Sequence, residues 1–567
     1  EALPIRNADI NLSKSRGVKR MKKSWPALLL SIVLVMGAVL SGCSSDSPNR
    51  SGSRSADNDA EGGSQHNAEN SQDGDGSNAA AAGKKYGGVL RIITTQDVQN
   101  IGDPVAIRSI SDNMISGTAL ETLGRYDENG DLRPFLAESW DLDPDAKTIT
   151  IKLRRGIQFH DGTDFDAEAV RWNLETFRLA KKPQFNETDT KSVETLDDYT
   201  VRITLNTWDI AIMETIGTIF MASPTAIREK GAEWVNEHPV GTGPFVFESW
   251  DKSVSVKYRK NENYWQEGKP YLDGVEWKII SDSSTADAAL QAKEADMYYS
   301  TSARTAKLLE RDYEVVKFEA ALGSAGPALY PDGGNPDSPW ANVKVRQALQ
   351  YAVDRQALVD TIALGYGIPT NQYAIPGSRF YSDNVKSTYD PDKAKRLLAE
   401  AGYAEGFHTV INTPNNPDNV QMYTAVQAML AQIGIQSEIN VVDGAKNQEM
   451  TGPNGSWEGL MGYVMRIDND PPFNMIRNLS SMGTNTRKVA FVEEFDQKLL
   501  ESRSAPTLDA KAEATRQLQE MAFEQYALAV PLYVSYSTTV KEKYVKDDGI
   551  HKTWMIFWTP ENAWLDK

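Results

Sequence analysis

Leu136-Ala137-Glu138-Ser139-Trp140, Thr148-Ile149-Thr150-Ile151-Lys152-Leu153-Arg154-Arg155-Gly156 and Phe159-His160-Asp161-Gly162-Thr163 follow one another in close succession. Ile149, Ile151 and Leu153 alternate with polar residues, the two-residue period of a strand that buries one face. His160-Asp161-Gly162 supplies the residue types of a tight turn. Asp166 then stands where a carboxylate can accept from the free N–H groups of a helix start, ahead of Val170, Leu174 and Phe177 on one helical face. Strand, turn and capped helix in one segment predict a mixed α/β fold.

Working outward, Val201, Ile203 and Leu205 repeat the alternation, and Ser253 to Tyr258 and Val275 to Ile279 read as further strands. Gly241-Thr242-Gly243-Pro244 supplies a turn before a strand from Phe245 to Trp250. A helix is expected from about Val343 to Leu364. It would place Ala348, Leu349, Ala352 and Val353 inward and leave Arg346, Asp354 and Arg355 for solvent or for pairing. Asp390 with Pro391 opens another helix, whose stripe is Ala394, Leu397, Leu398 and Ala401 and which Gly402 closes. Folded structure is expected to begin near Gly87-Gly88-Val89-Leu90-Arg91-Ile92. No internal repeat is visible. At 567 residues the chain exceeds one ordinary core, so two α/β lobes are expected.

Apolar residues make up 40% and charged residues 24%, the balance of a globular protein. The formal net charge of -18 excludes a nucleic-acid partner, because phosphate binding needs a basic face.

The N-terminal region is expected to lie outside the fold. Residues 1–20 read as an upstream extension, with Met21 as the start. Lys22 and Lys23 precede an apolar run from Trp25 to Leu40, the length of a signal-peptide core and short for a spanning helix. It ends in Leu40-Ser41-Gly42-Cys43, similar to a bacterial lipobox, which implies a signal peptide over 21–42 and lipidation of Cys43. Cleavage there would remove seven positive and two negative charges and take the net charge to -23. Cys43 is the only cysteine, so no internal disulfide can form. Residues 43–86 are rich in Ser, Asn, Asp, Gly and Ala, a composition that cannot offset its ordering entropy, and read as a tether.

The stretch from Leu136 to Thr163 is one of four that together resemble the family 5 extracellular solute-binding proteins of peptide, nickel and related ABC importers. The others are Gly241-Thr242-Gly243-Pro244-Phe245 through Asn261-Glu262-Asn263-Tyr264-Trp265, Val345-Arg346-Gln347-Ala348-Leu349 through Ala352-Val353-Asp354-Arg355, and Tyr389-Asp390-Pro391 through Ala401-Gly402-Tyr403. The resemblance spans roughly residues 87–567. It implies a two-lobed periplasmic-binding-protein fold of type II, the large cluster with an extra subdomain in the N-terminal lobe. Lobe I would hold 87–325, with the subdomain at about 131–240. Lobe II would hold 326–535, and 536–567 would return to lobe I. Crossovers near 323–330, where Gly323-Ser324-Ala325-Gly326-Pro327 begins, and near 533–537 would form the hinge. The implied partners are an ABC permease and ATPase, a small-molecule ligand and, through the lipid, the membrane. The implied state is a monomer.

Residue chemistry points to binding rather than turnover. The five histidines, His66, His160, His238, His408 and His551, include no pair four residues apart, as a two-histidine metal helix requires. No Walker loop, Rossmann fingerprint or Gly-x-Ser-x-Gly occurs. No catalytic residue, metal site or cofactor is therefore expected.

For the ligand, the resemblance directs attention to Tyr463-Val464-Met465-Arg466-Ile467-Asp468-Asn469-Asp470-Pro471. Peptide-binding members often carry, three residues before an acidic-Pro step, an Asp that pairs with the peptide ammonium. That place holds Ile467 here, and Asp468 comes one later. Arg466 points to an anionic group, since a guanidinium grips a carboxylate through two hydrogen bonds. Arg466 and Asp468 pairing with protein neighbours is the alternative. Tyr330, Tyr463 and Trp457 are aromatic candidates for stacking on a ligand, with a place in core or rim as the favoured alternative; Met465 shares the loop. The resemblance adds Asn113 and Met114. The expected ligand is a peptide or a peptide-like carboxylated solute. A nickel or metal-chelate binder, or a ligand receptor without transport, are the alternatives. Asp164 to Val170 is similar to some nickel-binding members.

Overall fold

The computed structural model describes residues 83–567 except 108, 129, 181–184, 319–323, 468–469 and 553–557. The expected signal peptide, Cys43 and the tether up to residue 82 lie outside the described residues, as does Asp468. Contacts of the folded body begin slightly ahead of Gly87: Lys84 and Lys85 already pair with Asp547 and Asp566.

The first lobe is built on a seven-stranded sheet. Its order is Phe245–Asp251, Ser255–Lys260, Gly274–Ile279, Val89–Thr94, Met297–Thr301, Thr538–Lys541 and Glu314–Lys317. Val89–Thr94 lies centrally, parallel to both neighbours, and Leu90, Ile92, Val275 and Trp277 form its core. Leu90 and Ile92 are buried on one face and Ile93 on the other, as in parallel strands covered on both sides. The segment from Leu136 to Phe177 forms a separate core with a four-stranded antiparallel sheet, Ala137–Asp143, Thr148–Leu153, Thr200–Leu205 and Thr190–Asp197. Helix Ala167–Leu179 packs on it through Val170 and Leu174, and Asp166 caps the helix by accepting from the Ala169 amide at 2.8 Å.

The second lobe is built on a five-stranded sheet, in the order Ile435–Val442, Phe407–Pro414, Leu460–Ile467, Ser324–Pro331 and Val530–Pro531. The chain leaves the first sheet after Glu314–Lys317 and enters the second at Ser324–Pro331. It returns between Tyr533–Ser535 and Thr538–Lys541. Helix Pro391–Glu400 follows its expected cap, with the Asp390 carboxylate accepting from the Lys393 amide at 2.8 Å.

Three local expectations need correction. The helix expected over 343–364 is two helices, Val343–Ala352 and Arg355–Thr361; Val353 is extended, and Asp354 caps the second by accepting from Ala357 at 2.9 Å. Arg346 and Arg355 face neither solvent nor a carboxylate. Both are buried and donate to main-chain carbonyls, Arg346 to Trp340, Ala341 and Tyr526, and Arg355 to Gln350 and Pro531. The strand expected from Ser253 starts at Ser255, because residues 251–254 form a turn in which Ser253 takes a positive φ of 59°.

Candidate functional site

Strand Leu460–Ile467 pairs along its whole length with Ser324–Pro331, the strand by which the chain enters the second lobe. Its side chains alternate. Tyr463, Met465 and Ile467 pack toward one core, while Val464 and Arg466 emerge on the other face. Arg466, opposite Ala325, is exposed and has no hydrogen bond or ion pair among the described residues. Three residues after the strand's end, the chain reaches Asp470 and helix Pro471–Leu479.

The remaining candidates divide by burial. Tyr330, Trp457, Met465 and Met114 are each 4% exposed or less and belong to hydrophobic cores. The Tyr330 hydroxyl lies 2.5 Å from that of Tyr373, and the Trp457 indole donates to the Tyr330 carbonyl at 3.3 Å. Tyr463 is half-buried, its ring edge-on to Tyr330 at 6.2 Å between centroids. Tyr330 and Trp457 therefore back the strand that carries Arg466. Asn113 is half-buried on helix Ile110–Ser116 in the first lobe, and its amide donates to the Ser109 carbonyl at 2.8 Å. No contact joins Asn113 or Met114 to the second-lobe group among the described residues.

Beyond the candidates, a set of polar contacts joins the lobes. Trp208, from the subdomain of the first lobe, donates to the Ala505 carbonyl at 3.2 Å. Beside it, Asp209 meets Arg503 at 3.1 Å and Lys511 at 3.4 Å. The Lys511 ammonium also lies 3.0 Å from Asp470. Asp131 pairs with Arg379, and Tyr366 donates to Glu310 at 2.7 Å. Burial alone would lower the pKa of Lys511, but Asp470, Asp209 and Glu214 outweigh it and the net direction is upward, so the group stays charged. One cue to Lys511 lies in the sequence. It shares a helical face with Thr515 and Leu518, and a lysine on an apolar face must find an acidic partner. Nothing in the sequence names Asp209 as that partner.

Among the described residues no group of three or more His, Cys, Asp and Glu could hold a metal ion. No helix there is long and apolar enough to cross a membrane.

Two α/β lobes on separate sheets, crossed twice by the chain and touching through a polar seam, define a periplasmic-binding-protein fold of type II. The description "Bacterial extracellular solute-binding proteins, family 5 Middle" matches residues 131–486, more than half of the chain, which belongs to this family. The glutathione-binding protein GsiB of Shigella flexneri is 34% identical over 367 residues, 63% of this chain and 70% of that protein. GsiB of Pectobacterium atrosepticum is 34% identical over 363 residues, 62% of this chain and 69% of its own. Among solved structures, the periplasmic binding protein DppA from Helicobacter pylori, in complex with peptide STSA, is 26% identical. Its TM-score is 0.66, covering 85% of this chain and 99% of that one. NikZ from Campylobacter jejuni, in complex with Ni(L-His), has a TM-score of 0.65 at 23% identity over 81% of this chain and 95% of that one, a likeness of fold alone. The protein is thus a solute-binding protein of the ABC-importer class, whose members work with permease and ATPase subunits.

Proposed function

We propose that this protein captures a peptide-like solute bearing a carboxylate, with a glutathione-like tripeptide as the leading case, and releases it unchanged to the permease. The observation that carries this is Arg466, an exposed guanidinium with no protein partner among the described residues, a few residues from the seam between the lobes. A guanidinium there can take a carboxylate through two hydrogen bonds. Tyr463 and Asn113 would line the space around the solute; Asp468 would meet its ammonium. Tyr330, Trp457, Met465 and Met114 would hold these from behind. The names of the relatives above supply the leading case. The lobes would divide at 87–325, 326–535 and 536–567. Cys43 would carry the lipid that keeps a monomeric protein near its transporter.

Titration calorimetry with glutathione and with unmodified tripeptides should give one-to-one binding with a negative heat-capacity change. Arg466→Ala should weaken it about tenfold or more, the scale of a lost charge-assisted hydrogen bond. Unchanged affinity removes Arg466 from the site, and binding of nickel-histidine in place of either peptide would move the protein to the metal-chelate class. Mass spectrometry of the Cys43 peptide from membranes should find a diacylglyceryl group.

A further inference from the structure

Lys511 lies in helix Leu508–Gln519, on its buried face, and its side chain is only 1% exposed. A buried ammonium is expensive unless carboxylates compensate it. One of its two carboxylates, Asp470, belongs to the same lobe and stays within reach whether the lobes are apart or together. The other, Asp209, belongs to the opposite lobe and is within reach only when they meet. Arg503 takes the second oxygen of Asp209, so two cations of the second lobe converge on one carboxylate across the seam. The same contact shuts Trp208 away from water against Ala505. Asp470 in turn stands at the start of helix Pro471–Leu479, three residues beyond the strand bearing Arg466.

We propose that Lys511 is a positioning residue for solute capture. It stays paired with Asp470, at the start of helix Pro471–Leu479, and exchanges water for Asp209 as the lobes close, so that closure is completed beside the strand that carries Arg466. The capture role rests on the function proposed above; the bridge is measurable without any solute. A contact made only in the closed state shifts the open–closed equilibrium by its own differential free energy, whatever occupies the cleft. Arg503 is 45% exposed and its share is screened by salt, whereas the share of Lys511 is not.

The test is pulsed dipolar EPR on the full chain, with nitroxides at Glu194→Cys and Gln436→Cys in a Cys43→Ser background. In solute-free protein at low salt, a short-distance population should be present. It should fall about fivefold or more in Asp209→Asn and in Lys511→Met, a typical coupling between sites. Asp209→Asn keeps the side-chain oxygen that accepts from the Ala211 amide, so its thermal midpoint should match wild type. A merely structural lysine would move the midpoint and leave the distances alone. Arg503→Gln should give a smaller shift that 0.5 M NaCl erases (about a 4 Å screening length). Superimposable distance distributions for wild type and Asp209→Asn overturn the proposal, even if Lys511→Met fails to fold. Glutathione is the probe in a separate arm. If it leaves the wild-type distances unmoved while Asp209→Asn still lengthens them, the proposed solute is wrong and the bridge stands.

Discussion

His160 and His551 are each buried in a form that cannot accept a proton cheaply. The Nε2 of His160 lies 2.9 Å from the Gly243 carbonyl, and its Nδ1 accepts from the Gly241 amide at 3.4 Å. A second proton on Nδ1 would face that N–H. Burial pushes His160 down to about 4; burial and then the Lys541 ammonium push His551 down to about 3. The unfolded chain takes up these protons near pH 6.5, so stability is fully present above that value and is lost as pH falls toward 4 and then 3. Between pH 7 and pH 5 each histidine should remove about 2 kcal/mol, read as urea unfolding free energy. His160→Gln should flatten its share of that slope, and an identical slope in the variant would show that His160 is protonated in the fold. The turn at His160-Asp161-Gly162 was legible from local residue types. The burial was not, because it comes from the Gly241-Thr242-Gly243 segment some eighty residues on, where a methyl at Gly241 would sit 2.2 Å from the Ala119 carbonyl.

Elements held by their own neighbours were readable; those shaped by remote backbone were not. Asp166 and Asp390 announced their helices because a cap and its amide lie three residues apart. The break at Val353 carries the same kind of cap in Asp354, but the apolar pattern masks it. The periodicity runs through it, while the bonds that fix it reach from Arg355 and Gln350 to Pro531 and Ala529. Gly326 is the same lesson in a strand. In the sequence it belongs to a flexible-looking Gly323-Ser324-Ala325-Gly326-Pro327 hinge start. In the structure it pairs with Met465, and an added Cβ would lie 1.9 Å from the Tyr533 carbonyl. The glycine is there because two crossing segments of main chain pass too closely for a side chain. Gly326→Ala should therefore cost about 2–3 kcal/mol in urea unfolding, the upper range of overpacking, because the obstacle is backbone rather than a movable side chain. A loss under about 0.5 kcal/mol would mean that the two crossings can slide apart freely, as a loose hinge would allow.

At the scale of the molecule, four ordered motifs pointed to a two-lobed fold, but the seam between the lobes joins residues such as Trp208 and Ala505 that one sequence cannot pair. Trp208 offers a direct readout of that seam. It is 6% exposed, and its indole donates to a carbonyl of the opposite lobe. If the lobes separate, the ring and its N–H must exchange protein for water, and an indole moved into water emits at longer wavelength. With 13 tryptophans in the chain, the whole-protein spectrum alone cannot assign the change. The difference between wild type and Trp208→Phe can. Addition of a bound solute should shift wild-type emission to the blue and leave Trp208→Phe nearly still. Losing one hydrogen bond that exists only in the closed state should also weaken solute binding about fivefold, since such a bond is worth about 1 kcal/mol. Those two effects must appear together. A blue shift that survives in Trp208→Phe would place the moving tryptophan elsewhere and leave the Trp208 contact intact in both states, which a closing motion at this seam does not permit.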